Sequence, residues 1–205
     1  MKSRLKRWVR EAAGPVGGFL ARLGVTADGV TLAGVAAALA AAYGFFAGSR
    51  QLAFWGLLAS ALCDLLDGAV ARAGGRPGTR FGAALDSSLD RYGEGLVFGA
   101  ILAHSAATGR APIVIVAAIL AGVGSFLVSY VRARSEGLMI SCEVGILERP
   151  ERLLLLLVLA IWGSAGTIFI LGSIALLSHV TFIQRLLHVR RAATSLDLAE
   201  GERSP

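Results

Sequence analysis

Long apolar blocks with few charges constrain this sequence more than any other feature. Hydrophobic residues make up 55% of the 205 residues, and charged residues only 17%. A soluble domain usually carries roughly a quarter charged residues, and a disordered chain is poor in apolar ones. Several blocks approach the ~20 apolar residues that a helix needs to cross a bilayer. The sequence therefore predicts an all-α integral membrane protein.

Six transmembrane helices are predicted, together with an N-terminal amphipathic juxtamembrane helix. The basic segment 1–29 is expected to lie on the membrane surface, with Trp8, Val9, Phe19 and Leu20 toward lipid. Residues 30–191 would form one membrane domain, and the polar tail 192–205 is expected to be disordered. The six predicted spans cover residues 30–47, 52–70, 82–103, 112–131, 153–166 and 167–187.

The distribution of basic residues predicts the orientation. Of the 20 Lys and Arg residues, all but Arg50 and Arg110 fall on one side of the predicted spans. The positive-inside rule then places both termini and the second-to-third and fourth-to-fifth connections in the cytoplasm, for a protein of the cell membrane. A net charge of +6 would suggest nucleic acid in a soluble protein. Here orientation accounts for the charge, and no nucleic-acid partner is expected.

Four aspartates lie in or beside the second and third predicted spans, where carboxylates are costly. Asp64 and Asp67 are three residues apart, and Asp86 and Asp90 are four apart, so each pair shares one helix face. The two helices are consecutive and antiparallel. The four carboxylates are therefore predicted to converge at the inner membrane interface.

Such a cluster needs compensating cations. Oxygen-only ligation favours hard ions, and the sequence predicts two Mg²⁺ ions, with Mn²⁺ as an alternative. Two ions on shared carboxylates suit phosphoryl transfer, because they polarise the phosphoryl group and orient the attacking oxygen. Gly68 leaves room for a ligand at the backbone. Arg72 can engage a phosphate through two N–H groups.

Other interpretations stay open at this point. The aspartates could be helix caps and interfacial charges, or the ion path of a cation- or proton-coupled transporter. A scaffold without activity is a further alternative. The predicted position at the cytoplasmic edge, and the lack of a visible inverted repeat, favour an enzyme over a transporter.

Residues 64–90 read D-x2-D-G-x2-A-R-x9-G-x3-D-x3-D, which resembles the signature of the CDP-alcohol phosphotransferase family. The resemblance implies a six-helix, homodimeric membrane enzyme that transfers a substituted phosphoryl group from a CDP-linked donor to an alcohol and releases CMP. It implies that Asp90 is the catalytic base. The implied metal ligands are Asp64, Asp67, Asp86 and Asp90, and the implied CDP-donor contacts are Asp28, Thr31, Gly68, Ala71, Arg72, Thr79 and Gly82.

Further segments resemble the phosphatidylinositol phosphate synthases of this family: Asp28-Gly-Val-Thr31, Ser129-Tyr-Val-Arg-Ala-Arg134, Leu147-Glu-Arg-Pro-Glu-Arg-Leu153 and Gln184-Arg-Leu186. The resemblance implies that Arg132, Arg152 and Arg185 bind the acceptor phosphate, with CDP-diacylglycerol as donor and inositol phosphate as acceptor. Cations at span ends also suit an anion site, although the positive-inside rule explains each of them singly. Glycerol 3-phosphate, which would give phosphatidylglycerol phosphate, is the nearest alternative acceptor.

Overall fold

A computed structural model describes residues 2–74 and 79–201, with side chains for residues 11–74 and 79–197. Within these residues the chain is all-helical, which confirms the predicted class. It divides into two compact units, residues 1–104 and 105–205. The helices are α1 Lys2–Arg22, α2 Ala27–Phe46, α3 Arg50–Ala73, α4 Arg80–Ala107, α5 Pro112–Glu136, α6 Arg149–Trp162 and α7 Thr167–Gly201, with a 3₁₀ turn at Gly163–Gly166 between α6 and α7.

Four described segments are long and apolar enough to cross a membrane, as expected of a multi-pass membrane protein. They are Ala27–Phe46, Arg50–Ala73, Pro112–Glu136 and Arg149–Asp197. The last contains α6, the 3₁₀ turn and α7, because no polar connection separates the fifth and sixth predicted spans. The third predicted span, α4, is not among the four, since charged residues interrupt its first half. The count of six spans therefore stays a prediction.

The first unit begins with α1, which confirms the predicted N-terminal helix; its position on a membrane surface stays a prediction. Phe19 is 61% exposed, whereas the side chains of Trp8 and Val9 lie outside the described residues. The opposite face packs on α3 through Gly17. A Cβ atom at Gly17 would lie 2.6 Å from the carbonyl carbon of Ala69, so α1 rests directly on the α3 backbone.

Helices α2 and α3 form an antiparallel pair at very short range. A Cβ at Gly56 of α3 would lie 2.5 Å from the backbone nitrogen of Ala41, and one at Gly34 of α2 would lie 3.0 Å from Cβ of Cys63. Small residues permit this approach, as is usual between membrane helices. The pairing brings the beginning of α2 beside the end of α3.

Helix α4 runs alongside α2. Near its end, Nδ1 of His104 lies 2.9 Å from the carbonyl oxygen of Phe46. Near its start, a Cβ at Gly82 would lie 3.4 Å from Oδ1 of Asp28. The beginnings of α2 and α4 and the end of α3 therefore lie together, and this end of the first unit carries the aspartates.

The second unit is organised around α5 and α7, which meet at Gly124. A Cβ there would lie 2.9 Å from Cβ of Ser178. Helix α7 continues through Gly201, and this differs from the predicted disordered tail. The described part of that segment, residues 192–201, is rich in alanine and leucine, has no proline, and carries its only glycine at the helix end, so nothing in it stops the helix. The domain division at residue 192 stays a prediction.

Candidate active site

Three carboxylates meet in the first unit. Asp64 and Asp67 lie in the last turns of α3, and Asp86 lies near the start of α4. One oxygen atom from each lies within 4.8 Å of the others. Three negative charges at this range repel one another unless they bind protons or cations. An all-oxygen set of this kind fits a hard divalent cation.

Both oxygens of Asp67 are held by hydrogen bonds. The hydroxyl of Thr31 donates to Oδ2 at 3.0 Å, and the backbone N–H of Gly68 donates to Oδ1 at 2.5 Å. The Thr31 hydroxyl also lies 3.1 Å from the carbonyl oxygen of Ala27, in its own helix. Each carboxylate oxygen keeps a free lone pair for a metal. Hydrogen-bond donors of this kind orient a metal-binding carboxylate and tune its affinity for the metal.

Asp90 lies one turn beyond Asp86 and on the same side of α4. Its oxygens are not part of the group within 4.8 Å, and its Oδ2 lies 3.8 Å from Nη1 of Arg91. The structure therefore brings together three of the four predicted metal ligands. The roles of Asp90 as a ligand and as a base stay predictions.

Several predicted donor contacts surround the starts of α2 and α4. The hydroxyl of Thr79 accepts a hydrogen bond from the backbone N–H of Gly82 at 2.9 Å, and Asp28 faces Gly82 across the short contact described above. Helix N-termini attract anions, so this end of the unit suits a phosphate-containing ligand. Thr26, which was not among the predicted residues, caps α2 by accepting a hydrogen bond from Gly29 N–H at 3.1 Å. A threonine shortly before the first predicted span was the available signal.

Arg72 lies over Gly68 on α3. A Cβ at Gly68 would lie 3.2 Å from Nη1 of Arg72, so a larger residue at position 68 would press on the guanidinium. Ala71, between them in sequence, is half-buried. A cation therefore lies one turn beyond Gly68, the residue next to Asp67, where it can attract the phosphate of a ligand bound at the carboxylates.

The three predicted phosphate-binding arginines lie in the second unit and differ in burial. Arg152 is 1% exposed and Arg185 2%. Arg132 is exposed and pairs with Glu136, with 2.9 Å between Nε and Oε1. Arg185 is close enough to both other arginines to interact with them electrostatically. The three cations thus form one group, which we call the arginine cluster.

Adjacent residues of α5 hold the two buried guanidiniums. Ser129 Oγ accepts a hydrogen bond from Arg152 Nη2 at 3.3 Å, and Val128 O accepts one from Arg185 Nη1 at 2.6 Å. Arg185 Nε also donates to Val144 O at 2.8 Å. Among the described residues Arg185 forms no ion pair. Glu148 is the carboxylate near enough to act on Arg185, and two arginines oppose it. Burying a guanidinium is costly, so an anion bound beside these cations would be stabilised.

One family model matches most of the chain. The family model for CDP-alcohol phosphatidyltransferase matches residues 24–188. This range contains the four aspartates, all the predicted donor contacts and the arginine cluster.

Two relatives illustrate the similarity. A phosphatidylinositol phosphate synthase of Mycobacteroides abscessus is 39% identical over 192 residues, which cover 90% of this chain and 86% of the relative. An archaetidylinositol phosphate synthase of Methanothermobacter thermautotrophicus is 39% identical over 175 residues, which cover 82% and 85%.

Solved structures of the Mycobacterium tuberculosis phosphatidylinositol phosphate synthase are also similar. The structure with CDP-DAG bound has a TM-score of 0.75 and 34% identity, covering 86% of this chain and 92% of that one. The structure in complex with manganese and citrate has a TM-score of 0.76 and 34% identity, covering 86% and 88%.

Proposed function

Because the chain belongs to the CDP-alcohol phosphatidyltransferase family, we propose that it transfers the phosphatidyl group from CDP-diacylglycerol to a hydroxyl of inositol phosphate. The observation that carries this proposal is the approach of Asp64, Asp67 and Asp86 to within 4.8 Å of one another. The relatives' names support the acceptor, since both describe an inositol phosphate lipid as the product.

The metal ligands in this proposal are the three clustered carboxylates, with Asp90 joining them on a second ion. When bound, two Mg²⁺ ions, or Mn²⁺ in their place, would supply Lewis-acid stabilisation of the diphosphate and of the departing CMP. The residues fit such ions because every donor atom is a carboxylate oxygen. The manganese complex of the M. tuberculosis enzyme supports metal use in the family.

Asp90 is the proposed base. It takes the proton of the acceptor hydroxyl, and the acceptor oxygen then forms a bond to the phosphatidyl phosphorus. The bond between that phosphorus and the CMP oxygen breaks, and its electron pair leaves with CMP. Asp28, Thr31, Gly68, Ala71, Arg72, Thr79 and Gly82 are the proposed contacts to the donor. Positioning of this kind, rather than a strong base, accounts for most catalysis of phosphoryl transfer.

The arginine cluster is the proposed site for the acceptor phosphate. Arg152 and Arg185 supply two buried guanidiniums, and Arg132 supplies a third cation near the surface. One guanidinium group can donate two parallel hydrogen bonds to two oxygens of the same phosphate. Their burial supports a specific role, because charges that serve orientation alone have no reason to leave the aqueous interface.

The membrane arrangement is also part of the proposal. The protein would form a homodimer in the cell membrane, with six spans in each chain and with both termini and the active site on the cytoplasmic side. Segment 1–29 would lie on the membrane surface, residues 30–191 would form the membrane domain, and residues 192–205 would form a polar tail. The positive-inside count supports this orientation. Cysteines introduced at Thr194 and Thr108, in a chain freed of Cys63 and Cys142, test it. Labelling of Thr194→Cys from the cytoplasm and of Thr108→Cys from outside is expected, and the reverse contradicts it.

An acceptor panel tests the function. Purified protein receives CDP-diacylglycerol and Mg²⁺ with inositol phosphate, glycerol 3-phosphate, serine or inositol in parallel. The expected result is CMP and a new lipid with inositol phosphate. A product from glycerol 3-phosphate alone would assign phosphatidylglycerol phosphate synthesis instead. If no acceptor leads to CMP release and the protein carries ions into liposomes, the protein is a transporter and the proposed enzyme function is wrong.

A further inference from the structure

One face of α7 holds the connection between α5 and α6, residues 137–148. Thr181 accepts a hydrogen bond from the backbone N–H of Leu147 at 3.0 Å. Arg185 donates to the carbonyl of Val144 at 2.8 Å, and Nε2 of His188 lies 3.0 Å from the carbonyl oxygen of Ser141. Residues 181, 185 and 188 recur at helical spacing, so a single face of α7 makes all three contacts.

Thr181 uses both branches of its side chain. It is 0% exposed, and while its hydroxyl accepts from Leu147, its methyl group packs against Gly145. A Cβ at Gly145 would collide with Cγ2 of Thr181, and Gly145 has φ 137°, a conformation that other residues rarely adopt. The glycine and the threonine methyl therefore pack closely against each other, and a larger residue at position 145 would push the loop away from α7.

This contact sets the start of α6. Leu147 directly precedes Glu148, the N-cap residue of α6, whose backbone N–H donates to Oε2 of Glu151 at 3.0 Å. Arg152 follows in the first turn of the same helix. A shift of Leu147 would therefore carry Arg152 with it.

The same face of α7 also carries Arg185, one turn beyond Thr181. Arg185 and Arg152 reach adjacent residues of α5, Val128 and Ser129. The spacing of the two buried guanidiniums thus depends on how α6 is fixed relative to α7. Among the described residues, Thr181 provides the hydroxyl that joins the α6 end of the loop to α7.

We propose that Thr181 is a positioning residue for the acceptor phosphate, a role that rests on the proposed function. Thr181 does not touch the acceptor. Its hydrogen bond to Leu147 holds Arg152 beside Arg185, so that one phosphate can bind both guanidiniums. Loss of the hydroxyl weakens acceptor binding and leaves the donor site in the first unit unchanged.

Kinetics of Thr181→Val test this role, since valine keeps the shape and removes the hydroxyl. The KM for inositol phosphate is expected to rise about tenfold, because small misplacements of positioning groups cost up to 10²-fold. The KM for CDP-diacylglycerol stays unchanged. Thr194→Val is the matched control: its hydroxyl donates to Arg190 O on an exposed part of α7, and its removal leaves both KM values unchanged.

Hydrogen exchange gives a second readout. The Leu147 amide is expected to exchange faster in Thr181→Val than in the native chain, whereas Thr181→Ser, which keeps the hydroxyl, restores both its protection and the acceptor KM. If Thr181→Val does not fold, Thr181→Ser decides the question. An unprotected Leu147 amide in the folded serine variant, or in the native chain, would overturn the inference.

The outcomes separate this inference from the proposed function. An active native enzyme with the same acceptor KM in Thr181→Val, or with an equal rise in both KM values, overturns the role of Thr181 alone. A native enzyme that releases no CMP overturns the proposed function. In that case calorimetry compares the affinity of the native chain for inositol phosphate with that of Thr181→Val. Equal affinities would overturn the role of Thr181.

Discussion

The hydroxyl of Thr31 on α2 donates a 3.0 Å hydrogen bond to Oδ2 of Asp67 on α3. This bond joins a residue predicted to contact the donor to one predicted to bind metal. It also ties the start of one helix to the end of the next, where Asp67 faces Asp64 and Asp86. The carboxylate orientation therefore depends on the pairing of α2 with α3.

Thr31→Val tests that dependence. Valine keeps the branched shape but cannot hydrogen-bond to Asp67. We expect the Mg²⁺ concentration for half-maximal CMP release to rise about tenfold, as is typical when the outer partner of a metal ligand is lost. Thr31→Ser should restore the native value. A native Mg²⁺ requirement in Thr31→Val would show that the hydrogen bond does not orient the ligand.

The number of bound ions is a separate prediction. Titration with Mn²⁺, followed by electron paramagnetic resonance, should find two ions per chain, because shared carboxylates hold both. Asp86→Asn should lower binding at both sites, whereas Asp197→Asn, exposed near the end of α7, should bind like the native chain. A single ion, or native binding by Asp86→Asn, would contradict the two-metal arrangement.

Arg152→Ala should raise the acceptor KM far more than the donor KM, since the lost contact is to the acceptor phosphate alone. Arg132→Ala should have a smaller effect, because Arg132 is exposed and already paired with Glu136. Arg134→Ala, an exposed neighbour on α5, should change neither value. An equal rise of both KM values in Arg152→Ala would reject its role.

The packing of α1 on α3 predicts a difference between two adjacent glycines. Gly17→Leu should destabilise the protein by about 1–3 kcal/mol, the usual cost of overpacking, because the Ala69 backbone occupies the space. Gly18→Leu should not, since nothing lies within 4 Å of a Cβ there. Thermal unfolding in detergent measures both. Equal midpoints for the two variants would show that α1 does not rest on α3.

Much of the metal site could be predicted from local spacing. Asp64 and Asp67 share a helix face by their three-residue separation, and Asp86 follows in the next helix. The connection between α3 and α4 is short, so the end of α3 and the start of α4, which carry these residues, must lie close together. The exclusion of Asp90 from the group within 4.8 Å was not predictable, because it depends on where α4 lies against α2 and α3.

The arginine cluster shows what spacing does not reveal. Arg132, Arg152 and Arg185 look alike in sequence, each at the end of an apolar run. Their exposure differs because packing of α5, α6 and α7 covers Arg152 and Arg185. Thr181 was missed for a related reason: one threonine in an apolar helix resembles a packing residue until its loop partner is known.

The most direct measurement is CMP release from CDP-diacylglycerol by Asp67→Asn, with Mg²⁺ and inositol phosphate present. Asparagine preserves the size of the side chain and removes the negative charge that the ions need. If Asp64, Asp67 and Asp86 hold the metals that grip the diphosphate, Asp67→Asn releases no CMP while Asp197→Asn is as active as the native chain. CMP release at the native rate by Asp67→Asn would contradict the metal site and the reaction built on it.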